Sequence, residues 1–229
     1  MSDAVRFPLV LGIISLCSAA GLALSYTLTR DEIRFQQELR KARGLAGVLG
    51  IELDEEAIKR GEVPWSESRY EGRKGDPEPS FTVYELKDAT RGLLYAAEGK
   101  AQGYSSKIHL VAGVDQGIEQ GVEQATALAV KIISQLETPG LGSKCVEPEF
   151  QEQFRDLPYR QLDLIKGVPY RDPTDAESAK QNVAGITGAT ITSTAVVRAV
   201  ELACARIRYH LEHKGDRSPS RPLAQAEGE

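Results

Sequence analysis

Cysteine is sparse in this chain, and its spacing lacks the pairs that clusters and structural metal sites use. Cys17, Cys145 and Cys204 stand far apart with no CxxC pair. Nothing therefore supports an iron–sulfur cluster or a structural zinc site. Cys145 and Cys204 remain open either to a disulfide outside the cytoplasm or to two separate buried thiols. Histidine is equally thin. His109, His210 and His213 are scattered, form no metal set and are expected on the surface or on strands. No basic cluster is interleaved with aromatics, and the net charge over 229 residues is −5, which argues against a nucleic-acid partner.

Charge is also missing from one long run. Residues 7–28, FPLVLGIISLCSAAGLALSYTL, carry none and are long enough to cross a bilayer at about 1.5 Å per residue. Gly12, Ser15, Ser18, Ala19, Ala20 and Gly21 leave a surface suited to close helix packing. A cleaved signal peptide is the competing reading. The apolar run is long for that, and Ser25-Tyr26-Thr27 is a poor small-residue cleavage site, so a retained single span is expected. The flanking charges are ambiguous. Arg6 precedes the span, while Arg30, Arg34, Arg40, Lys41 and Arg43 follow it among Asp31, Glu32 and Glu38. A naive count puts the following domain in the cytoplasm, but that rule is weak for long translocated domains.

Residues 30–61 read as an amphipathic helix, with Ile33, Leu39, Ala42, Leu45 and Leu49 spaced among charges. Residues 62–79, with three Pro and two Gly, read as a loop or linker. Strands follow at 81–86, 92–99 and 108–114, the first two joined as a hairpin across 87–91, with a turn at 115–117. Residues 118–126 are ambiguous, and 128–134 are apolar enough for a buried strand, with a helix as the open alternative. The polar stretch 156–180 reads as an extended connection, with a short helix capped around 172–181. A last helix is expected from about 195 to 213, and 214–229 as a disordered tail. The domain boundaries read from this are an anchor at 1–29, helix and linker at 30–79, a folded domain at 80–213 and the tail.

What stands out is the stretch at 184–194, AGITGATITST, which packs hydroxyls around Gly188 and Ala189 just before a helix. Ser193 and Thr194 are natural N-cap residues. Hydroxyls and unpaired N–H groups at a helix start favour a phosphate, and Gly188 permits close backbone approach. The plainer alternative is a hydroxyl-rich turn capping an ordinary helix. A second irregular segment is Glu137-Thr138-Pro139-Gly140-Leu141-Gly142, whose Pro-Gly pair demands a tight turn.

Thr187-Gly188-Ala189-Thr190 resembles the [S/T]GAT motif of the FMN-binding domain found in membrane electron-transfer complexes. The segment 137–142, ETPGLG, resembles a hallmark of the G subunits of Rnf ion-translocating complexes. The two stand in the right order, fifty residues apart from Glu137 to Thr187. Gly103-Tyr104, Ile108, Gly113-Val114-Asp115, Phe150 and Gln153-Phe154 extend the likeness, which covers nearly the whole chain. One departure is Ala184, where the pattern usually has Asp.

The resemblance implies an α+β fold: a small antiparallel sheet with flanking helices behind one N-terminal transmembrane helix. It implies FMN carried covalently by Thr190 through a phosphoester, made from FAD by a flavin transferase. Thr187, Gly188, Ala189, Ile191 and Thr192 would complete that side of the pocket. Glu137, Thr138, Gly140, Leu141 and Gly142 would shape the other, with backbone N–H groups near Gly140 and Gly142 reaching the flavin. It implies no acid–base or nucleophilic catalytic residue and no metal. The chain would relay electrons among the other subunits of an inner-membrane complex, its soluble domain on the outer face. Two alternatives stay open: the flavin subunit of a sodium-pumping NADH:quinone reductase, or a flavin-free anchoring subunit.

Overall fold

The computed structural model describes residues 3–72, 78–115, 126–155, 163–165 and 182–213. The expected turn at 116–117, the ambiguous segment before β5, the short helix at 172–181 and the tail lie outside the described residues. The chain divides into two compact units, residues 1–40 and 41–229.

Helix α1 runs Asp3–Leu49. Within it lies the one described helix long and apolar enough to cross a membrane. In the first unit Phe7, Leu11, Leu16, Leu22 and Leu28 are exposed, as a lipid-facing surface requires. Gly50 ends α1 with φ +67°, and Ile51 N–H returns to the Ala46 carbonyl at 3.0 Å, the Schellman pattern. Arg91 donates to the Leu49 carbonyl at 2.7 Å, adding a positive charge at the helix C-terminus. A short helix α2, Glu55–Lys59, follows, with Asp54 accepting from Glu56 N–H as its N-cap.

The second unit is built on an antiparallel sheet in chain order: β1 Ser66–Glu71, β2 Ser80–Asp88, β3 Gly92–Gln102, β4 Lys107–Asp115 and β5 Thr126–Ser134. β2 and β3 form the expected hairpin, closing at Asp88 opposite Gly92. Asp88 accepts from Thr90 and Arg91 across the turn, and Gly92 supplies φ +81°. Strand β1 is a correction: those residues read as a linker. They are mostly exposed and pair only with β2 among the described strands, so no apolar alternation announced them.

Both faces of the sheet are covered. On one, Ala42, Leu45, Val48 and Leu49 of α1 pack with Trp65, Tyr84, Leu86, Leu94, Ala96 and Val111. On the other, helix α4, Thr190–Glu212, lays Val196, Ala199, Val200, Ala203 and Ile207 on Val83, Tyr95, Ala97, Ile108, Leu110 and Ala112. Two glycines let the helices come this close. A Cβ on Gly113 would lie 2.3 Å from Val48 Cγ1, and one on Gly99 would lie 1.9 Å from the Ala199 carbonyl oxygen. Near the end of α1, Lys41 Nζ meets Glu98 Oε1 at 2.6 Å. Tyr84 donates to the same oxygen, and His109 Nε2 lies 2.8 Å from the other.

After β5 the chain makes a 3-10 turn, Gly142–Val146, a short helix α3, Pro148–Gln151, and a second 3-10 turn, Glu152–Phe154. Gln151 Oε1 accepts from Ile132 N–H of β5 at 3.1 Å. Gln153 Oε1 accepts from Ala184 N–H at 2.9 Å. Strands β6, Asp163–Ile165, and β7, Asn182–Ala184, form a small parallel pair, β6 within what read as plain connection and β7 just beyond it. Cys145 and Cys204 are separate, buried thiols rather than a disulfide, and burial pushes both up to about 12. His210 is no surface residue. It is fully buried, with Nδ1 2.7 Å from the Tyr70 hydroxyl.

The glycines make a paired test. Gly99→Ala should cost about 3 kcal/mol in urea unfolding, because backbone must move to admit the methyl. At Gly47, exposed on α1, an added Cβ meets nothing within 4 Å, so Gly47→Ala should stabilise by about 0.5–1 kcal/mol.

Candidate functional site

Strand β7 delivers the chain to a β-turn at 186–189. Ala189 N–H bonds to the Ile186 carbonyl at 2.9 Å, and Gly188 takes φ +77°, a conformation that glycine adopts freely. Helix α4 starts immediately, with Ala189 at the N-cap and no side chain capping it. This corrects the expected start near residue 195. Ser193 and Thr194 lie inside the helix, and their hydroxyls donate back to the Ala189 and Thr190 carbonyls, at 3.0 and 2.8 Å. Ser193 Oγ also accepts from Ile186 N–H at 2.9 Å. The turn is thus stapled to the helix it precedes.

Opposite this lies the segment after β5. Gly140 has φ +76°, and the Thr138 carbonyl accepts from both Leu141 and Ser143 N–H. Between the two segments, and beneath Tyr104 of the β3–β4 turn, is a cleft of about 570 Å³, within the size range of small-molecule sites. It is lined by Tyr104, Glu137, Thr138, Leu141, Gly142, Gly188, Ala189, Thr190, Ile191 and Thr192. Thr187 and Gly140, named with these from the sequence, are not on its wall. Gly140 N–H, expected to face a ligand, instead donates to Ser143 Oγ at 3.0 Å. Tyr104 was visible only as part of the extended likeness, yet it forms the rim and is 70% exposed. Ala184, the departure from the pattern, is buried in β7 and stands outside the lining.

Glu137 organises the cleft. Its side chain is buried, and each oxygen is fully engaged. Oε1 accepts from Ser105 N–H at 3.0 Å, Ser106 N–H at 2.9 Å and Ser106 Oγ at 3.3 Å. Oε2 accepts from Tyr104 N–H at 3.2 Å and Thr192 Oγ1 at 2.6 Å. Burial alone would raise its pKa. The Thr192 hydroxyl and the three N–H groups outweigh that and hold it below the ordinary 4.5. The fit is close: a Cβ on Gly142 would come within 2.6 Å of Thr192 Oγ1, and one on Gly103 within 2.6 Å of Glu137 Oε1.

The hydroxyls are thereby sorted. Thr192 and Ser193 are buried and bonded inward, and Thr194 is turned onto its own helix. Thr187 and Thr190 are exposed, and Thr190 alone of these two lines the cleft. No group of His, Cys, Asp and Glu able to hold a metal occurs among the described residues.

Residues 103–205, which include every residue lining the cleft, match the FMN-binding domain family. The fold agrees. The chain resembles the crystal structure of Shewanella oneidensis NqrC with a TM-score of 0.57 at 15% identity, over 73% of this chain and 91% of that one. This is an FMN-binding domain behind an N-terminal apolar helix. Two relatives narrow it further. The chain is 30% identical over 192 residues to the G subunit of the ion-translocating oxidoreductase complex of Methanosarcina acetivorans, spanning 83% of this chain and 87% of the relative. It is 28% identical to the protein of the same name in Aliivibrio fischeri strain MJ11, over 89% of this chain and 90% of that one. The chain belongs to this family of G subunits of ion-translocating oxidoreductase complexes, the Rnf type.

Glu78, Glu98 and Glu137 all have folded pKa values below their ordinary 4.5. A lowered carboxylate contributes stability that is complete above its unfolded value and fades as pH falls through the folded one. Stability should therefore be level near neutrality and decline below about pH 4.5. Thr192→Val, which removes one hydrogen bond to a buried charge, should cost about 1.5–3 kcal/mol at pH 7 and flatten that acid limb.

Proposed function

We propose that the chain carries electrons through FMN bound in this cleft, as the flavin subunit of a membrane-anchored ion-translocating oxidoreductase complex. The observation that carries this reading is Thr190. Its exposed side chain stands at the first position of a 23-residue helix whose start no side chain caps, on the wall of the cleft. The residues fit the group. The open first turn of α4 favours a phosphate by its N–H groups and dipole. Exposed Tyr104, Leu141 and Ile191 give apolar walls for a planar ring. Gly188 and Ala189 keep the approach to Thr190 clear.

Attachment would be through a phosphoester at Thr190 Oγ1, formed from FAD by a flavin transferase during maturation: the hydroxyl gives up its proton, bonds to the FMN phosphorus and breaks the pyrophosphate link, and AMP leaves. Bound there, FMN supplies the one- and two-electron chemistry. The protein positions the group and sets its potential, and no side chain need act as acid, base or nucleophile in turnover. Other subunits of the complex are the redox partners. The anchor is the apolar part of α1 in the inner membrane, with the second unit on the outer face. A covalent bond prevents loss of the cofactor there.

Two experiments test this. Co-expressed with a flavin transferase, the wild-type chain and Thr187→Ala should fluoresce as flavoproteins after denaturing electrophoresis, whereas Thr190→Ala should be dark. Fluorescence persisting in Thr190→Ala would place the bond on another residue. For the side of the membrane, a cysteine at exposed Leu136 in a background lacking Cys17 should react with an impermeant maleimide in spheroplasts before lysis. Labelling only after lysis would put the domain in the cytoplasm.

A further inference from the structure

Among the described residues lining the cleft, only Glu137 carries a charge at neutral pH, and it is an anion with no cation among them to answer it. Each of its five hydrogen-bond donors is neutral: three backbone N–H groups and two hydroxyls. Neutral donors stabilise a carboxylate and fix its position, but they leave its full negative charge in place. The residue is only 6% exposed, so solvent screens it poorly. Gly103 and Gly142 press against it, leaving it little room to rotate away.

We infer that Glu137 is a positioning residue that lowers the reduction potential of the flavin by holding a fixed negative charge beside it. The inference rests on reading this cleft as the FMN site. At neutral pH an isoalloxazine ring takes up two electrons and one proton, which adds one net negative charge. A nearby fixed anion disfavours that addition, and displacement of cleft water by the ring strengthens the effect. Glu137 gives and takes no proton, since its folded pKa lies below the usual range. It acts through its field alone.

The test is a dithionite titration of the full-length, flavin-loaded protein in detergent, followed by absorbance. Glu137→Gln keeps the side-chain volume and removes the charge, and its midpoint should be more positive than wild type. Thr192→Val loosens the same clamp but keeps the charge, and its midpoint should not rise. A merely structural role for Glu137 would move both variants in the same direction, and an unchanged midpoint in Glu137→Gln would overturn the inference directly. If Glu137→Gln does not fold, Ile191 serves instead, since it is exposed and lines the cleft. The midpoint should then order Ile191→Lys above Ile191→Gln above Ile191→Glu, and coincident values would overturn the inference. Absence of flavin from the wild-type chain is a separate outcome, which removes the FMN reading itself.

Discussion

The arrangement of the cleft depends on one buried carboxylate. Glu137 takes hydrogen bonds from the 104–106 turn and from Thr192 in the first turn of α4. Three segments far apart in sequence thus meet on two oxygen atoms. Burying a carboxylate is costly unless each lone-pair direction is answered, and here the donors come from a turn and a helix that only the fold brings together. These bonds tie the cleft walls to one another. This explains the tolerance for nothing larger than hydrogen at Gly103 and Gly142. It also gives Thr192 a role distinct from Thr190 two residues earlier. One hydroxyl faces in and holds the site together. The other is exposed on the cleft wall.

The clamp works because the elements carrying it are rigid. β3 and β4 form the longest ladder of the sheet, from Leu94 opposite Asp115 to Gln102 opposite Lys107, and the 103–106 turn is its closure. α4 lies across the same strands, pressed close by Gly99. At its far end Arg206 donates to the Glu98 carbonyl and pairs with Glu78, while His210 meets Tyr70. The first turn of α4, where Thr190 stands, is therefore the end of a helix fixed along its length. On the other face Lys41, Tyr84 and His109 converge on the Glu98 side chain. The sheet strand that bears Glu98 is thus tied to both covering helices.

Much of this was legible in the chain because apolar periodicity and turn residues report burial directly. The β2–β3 hairpin, β4, the apolar helix and the body of α4 all follow from such signals, while the apolar run of β5 suited a strand or a helix until its pairing with β4 decided it. What stayed hidden was decided by partners distant in sequence. β1 is polar because it is an edge, so only its pairing with β2 marks it as a strand. β6 and β7 are three residues each and exist through one another. Ser193 and Thr194 had the chemistry of a cap, but the Gly188 turn lets the helix begin before them, so they bond backward instead. His210 looked like a surface histidine because nothing local reveals that Tyr70, 140 positions away, answers its ring nitrogen. The ETPGLG segment was recognisable as distinctive, and four of its residues line the cleft, but no local signal reveals that its Glu takes five hydrogen bonds from a turn and a helix distant in sequence.

That clamp also bears on why a covalent bond would suit this site. FMN carries a phosphate dianion, and a non-covalent site for it ordinarily supplies Arg or Lys alongside a helix N-terminus. Among the described residues lining this cleft there is no cation, and the one charge present is negative. Dipole and backbone N–H groups alone are worth about 0.3–1 kcal/mol at an exposed helix end, too little to hold a soluble anion tightly in an open cleft. A bond to Thr190 removes the need for affinity. It replaces a bimolecular equilibrium with a permanently high local concentration, so the cleft need only orient the ring. On the proposed reading, the cleft is then free to keep Glu137 as the sole charge among its described lining residues, because retention of the flavin and the tuning of its potential are assigned to different residues.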